Sequence, residues 1–79
     1  MTIKIKIFGV GNSTEKTLRE NVYQAAEELG VNIEFEQVSD IPSIIKAGVI
    51  AIPAMAIEGQ ILTNGHIPSL LELKNLLIG

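Results

Sequence analysis

At the start of the chain Ile3, Ile5 and Ile7 alternate with Lys4, Lys6 and Phe8. A period of two built on β-branched residues predicts a strand. Gly9 and Gly11 end it and allow the backbone a sharp turn. From Thr14 the period changes: Leu18, Val22, Ala25, Ala26 and Leu29 fall on one helical face, and Gly30 is placed to stop the helix. Asn12 and Glu15 have the spacing of a capping box at its start, with Ser13 as the alternative cap. Alternation returns in Val31, Ile33 and Phe35 against Asn32, Glu34 and Glu36. Two strands joined by a helix should lie parallel. If they are neighbours, Lys4 and Lys6 share a sheet face with Glu34 and Glu36, and that face is not a fully buried layer.

The second half is shorter in its rhythm. Asp40 can cap a brief helix that tolerates Pro42 in its first turn, carries Ile41, Ile44 and Ile45, and closes at Gly48. Pro53 cannot donate to a ladder, so it belongs at the head of a third strand, Ala54 to Ile57. Glu58-Gly59 predicts a tight turn into a fourth strand from Gln60 to Thr63, broken by Asn64-Gly65. Ser69 with Glu72 forms a second capping box, opening a last helix through Leu77. That helix is apolar almost all round, and one face can bury only about half of its leucines.

At 79 residues the chain is read as a single domain, 1–79, near the lower limit for a self-sufficient core. A net charge of -3 without a Lys/Arg cluster argues against nucleic acid or an anionic membrane as partner. The longest apolar run, Gly48 to Ala56, is interrupted by Pro53 and too short to span a bilayer. No apolar leader precedes the first strand, and the expected location is the cytoplasm. There is no cysteine, hence no thiolate chemistry and no Cys-ligated metal. His66, the sole histidine, lacks the cluster a metal needs and reads as a loop residue. No metal and no cofactor is expected.

The order β-α-β-α-β-β-α, with proline heading the third strand, is similar to the thioredoxin fold. More closely, the chain resembles the small thioredoxin-like proteins of bacteria and archaea often called redox-active disulfide proteins. The resemblance is carried by Ile5-Lys6-Ile7-Phe8-Gly9-Val10-Gly11, Gly30-Val31, Ile52-Pro53-Ala54-Met55-Ala56-Ile57-Glu58-Gly59 and Ile67-Pro68-Ser69-Leu70-Leu71-Glu72-Leu73-Lys74. It implies a thioredoxin-like α/β fold: a four-stranded mixed sheet in order 2-1-3-4 with three helices. Helices one and three should cover the face of Ile3, Ile5 and Ile7. The second helix should lie over part of the other face. In that family the first loop reads Gly-Cys-x-x-Cys, and the two cysteines fall on Asn12 and Glu15. Dithiol exchange requires a thiolate attacking a sulfur, so this chain cannot perform it unaided. The resemblance also implies a cis Ile52-Pro53 bond whose preceding backbone pairs with a bound peptide or glutathione.

The candidate binding surface is therefore Gly11, Asn12, Ser13 and Thr14 with Ile52 and Pro53. A helix start offers free amides and the positive end of its dipole. The competing reading is an ordinary capped helix, with Pro53 kept for the fold. Three functions fit. One is a redox-inactive binding module that keeps the cis-proline groove for a peptide, thiol or protein partner. Another is an accessory acting with a partner's cysteines. The third is a structural or interaction subunit, including a homodimer formed through the last helix or the open sheet face.

Overall fold

A computed structural model describes residues 2–11 and 13–78. The elements are β1 (Thr2–Phe8), α1 (Ser13–Leu29), β2 (Asn32–Val38), α2 (Ile41–Lys46), β3 (Ala54–Ile57), β4 (Gln60–Asn64) and α3 (Leu70–Ile78). The strands form one sheet in order β2-β1-β3-β4. β1 runs parallel to β2 and antiparallel to β3, and β3 to β4 is an antiparallel hairpin.

Alternation in β1 decides how the layers form. Ile5 and Ile7 project toward α1 and α3, where they are buried with Leu18, Val22, Ala25, Met55, Leu73 and Leu77. Fully burying one such leucine contributes about 1.5–3 kcal/mol. Phe8 faces the other way and packs with Ile44 of α2, Ala54 and Ala56. The two faces of the sheet thus carry separate clusters, as the alternation predicts. α2 covers only the end of its face near Phe8. Beyond it Lys4 stands in register with Glu34 and Lys6 with Glu36, around an open depression of about 250 Å³ that Glu58 also borders.

The ends of the elements follow local chemistry. The Asp40 carboxylate accepts from the Ser43 amide, with Pro42 in the first turn of α2. At α3 the Ser69 hydroxyl accepts from the Glu72 amide while the Glu72 carboxylate accepts from the Ser69 amide, a complete capping box. In the β3–β4 turn Glu58 and Gly59 both have positive φ (51° and 84°), as a two-residue hairpin turn matched to strand twist requires. Glu58 is anchored in that conformation by its side chain, which accepts from the Lys4 amide.

Two departures from the sequence pattern have a visible structural cause. β2 starts at Asn32 and continues to Val38, because the Val38 carbonyl still has a partner in the Gly9 amide. In the hairpin the register shifts between Met55 and Ala56, which oppose Thr63 and Ile61. The extra residue, Leu62, is a bulge that lets Thr63 join the buried side while Ile61 packs on the other cluster. On α3, Leu73 and Leu77 are buried whereas Leu71 and Ile78 are largely exposed. A Lys74–Glu28 ion pair ties α3 to α1.

Candidate functional site

Antiparallel pairing of Phe8 with Ala54 brings two loops together. Where β1 ends, Gly9, Val10 and Gly11 leave the sheet. On the neighbouring strand Pro53 enters it. The Ile52–Pro53 peptide is cis. Pro53 is buried, and its carbonyl accepts from the Gly65 amide at 2.9 Å. The Asn64 side chain accepts from the Ile50 amide at 3.0 Å, so the end of β4 holds the proline loop at both sides of Ala51. Gly65 lies so close to Ala51 that a Cβ there would stand 2.9 Å from the alanine methyl.

The two loops that meet at this buried proline carry exposed apolar side chains. Val10, Ile50 and Ile52 are all exposed, Ile50 to 88%. Among the described residues nothing bonds to the Ile52 amide or carbonyl. Ile41 and Ile45, on the outer side of α2, add to the exposed apolar surface.

The other half of the site is built on Glu15. Its side chain is 98% buried, being only 2% exposed. Oε1 accepts from the Gly11 amide at 2.7 Å and from the Gln37 side-chain amide at 3.0 Å. The Gln37 amide also reaches the Gly9 carbonyl at 3.5 Å. The carboxylate sits in the first turn of α1, where the helix dipole favours negative charge. It lies over Gly9, so closely that any side chain on Gly9 would overlap it.

These observations give Glu15 a role that the sequence did not predict. Its oxygen reaches back to Gly11 and across to β2, so it serves as a buried brace for the loop. Asn12, the other member of the expected capping box and a candidate binding residue, lies outside the described residues. Gly11 is exposed, but its amide is occupied by Glu15. Ser13 opens the helix with an exposed side chain, and its carbonyl accepts from the Thr17 hydroxyl. Thr14 is half-buried. Lys16 and Arg19 continue the rim of a shallow cleft with Gly11, Ser13 and Gln37. The first loop and the proline loop are thus neighbours, as expected, but the loop's anion-binding capacity is partly filled from within.

Sequence reasoning overlooked Gln37. A signal existed: Gln37 follows Ile33 and Phe35 at the same period, a polar residue in an apolar row. His66 is exposed beside Glu72, with 3.5 Å between Nε2 and Oε2. Among the described residues no group of histidines and carboxylates is placed to hold a metal ion. No described helix is long and apolar enough to cross a membrane.

Residues 1–78 match the family model described as a thioredoxin domain. The chain belongs to the thioredoxin domain family. It is 35% identical over 75 residues to a thioredoxin of Methanothermobacter thermautotrophicus, covering 95% of this chain and 97% of that protein. It is 38% identical over 72 residues to a thioredoxin of Methanocaldococcus jannaschii, covering 91% and 83% respectively. Within this family the present chain carries Asn12-Ser13-Thr14-Glu15 in place of a Cys-x-x-Cys motif and contains no cysteine. The fold is that of the family, and the chain has no thiol to offer for exchange.

Proposed function

We propose that the chain is a redox-inactive docking module that uses the proline-loop groove to hold an extended peptide segment. The observation carrying this reading is the exposed apolar trio Val10, Ile50 and Ile52 around a buried Pro53. Exposed apolar side chains grouped at one place on a surface mark interaction sites. The unbonded backbone of Ile52 supports the same reading, since an extended peptide supplies both a donor and an acceptor. Glu15 supports it from below by fixing the shape of the adjoining loop without a disulfide. The ligand class is an extended peptide with apolar side chains, held by main-chain bonds and by contact with the trio.

Titration of the 15N-labelled chain with a short apolar peptide and, separately, with glutathione tests the proposal. Saturable amide shifts at residues 9–11 and 50–54 are expected with the peptide, weakened by Ile50→Ser. Unchanged amides at those positions across the peptide's solubility range overturn it. Thiol–disulfide exchange that appears only when a partner supplies both cysteines would favour the accessory role instead.

A further inference from the structure

We propose that the outer edge of β2 is a second, independent docking site, where an extended partner segment alternating lysine or arginine with apolar residues adds to the sheet. β2 is the margin of the sheet and pairs only with β1. The Val38 carbonyl accepts from Gly9, so Val38 turns its backbone toward β1. Backbone direction alternates along a strand, so Ile33, Phe35 and Gln37 turn their amides and carbonyls outward. Exposed edges are ordinarily blunted by charged side chains (lysine above all), proline, a bulge, short length or a covering element, and the only charges on β2 are Glu34 and Glu36. β2 has seven residues, no proline and no lysine, and its register against β1 is unbroken.

The side chains flanking this edge define the occupant. On the helix-covered side, Tyr23 is 58% exposed and stands edge-on to Phe35 with ring centroids 4.8 Å apart. This aromatic ledge is suited to apolar side chains, and a partly exposed tyrosine is a frequent anchor in interfaces. On the opposite side Glu34 and Glu36 are exposed. Both stand in register with Lys4 and Lys6, yet neither forms an ion pair with them among the described residues. A second copy pairing through its own β2 is disfavoured. Pairing β2 antiparallel to itself about Phe35 sets Glu34 against Glu36 twice, and neighbouring registers likewise bring glutamates together. A strand with cations at alternate positions removes that repulsion, and β1, with Ile-Lys-Ile-Lys-Ile, shows the pattern that β2 already accepts on its inner side.

The test uses the labelled full chain with two blocked peptides as long as β2, one alternating lysine with valine and the other glutamate with valine. The lysine peptide is expected to shift the amides of residues 32–38 and the Tyr23 ring saturably. Losing two cross-strand charge pairs weakens binding by about 2- to 30-fold, and glutamate in place of lysine should exceed that range because it also sets like charges together. Glu34→Gln with Glu36→Gln should weaken the lysine peptide over the same range; the peptide comparison needs no variant. Equal binding of the two peptides, shifts confined to residues 9–11 and 50–54, or concentration-dependent self-association through residues 32–38 would each overturn the proposal.

Discussion

The carboxylate of Glu15 lies directly over the Cα of Gly9, in the space that a side chain on Gly9 would need. Both residues are buried, and Glu15 is further fixed by Gly11 and Gln37. Gly9→Ala is therefore expected to destabilise the fold by about 1–3 kcal/mol through overpacking. In a Glu15→Ala background the same change should cost less, giving a coupling of about 0.5–3 kcal/mol in a double-mutant cycle. Urea unfolding of the four proteins measures it. Strictly additive costs would show that the two residues do not share the space.

Thr63 presents the opposite case, a polar atom whose removal should help. Its hydroxyl is buried opposite Met55 and has no hydrogen-bond partner among the described residues. An unsatisfied buried hydroxyl is destabilising, and valine keeps the branched shape without it. Thr63→Val should raise stability by about 1 kcal/mol. The signature is a higher urea midpoint at unchanged slope.

The capping box at α3 should be worth its usual amount, because both of its bonds are formed. Ser69→Ala is expected to cost about 0.5–2 kcal/mol, and Ser69→Asp much less. Thermal unfolding of the two variants separates the cap from other effects, since Ser69 is exposed.

Two carboxylates confer a dependence on acid. A hydrogen bond from Lys74 holds Glu28 below its ordinary 4.5, and hydrogen bonds from the Ser43 hydroxyl and amide hold Asp40 below 3.8. Each is more acidic in the folded chain than in the unfolded one. Their contribution to stability is therefore fully present above the unfolded values and is lost as pH falls through the folded ones. Comparing wild type with Glu28→Gln/Asp40→Asn from about pH 6 to about pH 3 should show a smaller acid loss in the variant. Parallel curves would assign the acid sensitivity to other carboxylates.

Much of the fold was legible because it depends on local chemistry. The isoleucine alternation in β1 marked the face to be buried, the resemblance implied that α1 and α3 cover it, and Ser69 with Glu72 marked the start of α3. Glu58-Gly59 marked the hairpin turn. What was not legible depends on partners far along the chain. Glu15 looks like a helix cap when read with its neighbours, and its burial becomes intelligible only when Gln37, 22 residues away, arrives beside it. The bulge at Leu62 had no signal, since Ile61, Leu62 and Thr63 suit either register. At the site, Pro53 was conspicuous. The exposure of Ile50 was not, because isoleucine in an apolar run reads as core.

The brace formed by Glu15 also sets what a cysteine at position 15 would cost. A cysteine at position 15 would leave the Gly11 and Gln37 amides without their shared acceptor and open a void above Gly9. One thiol gives no dithiol in exchange for that damage. Placing a cysteine at position 15 thus weakens the loop, and the packing around Glu15 opposes that change.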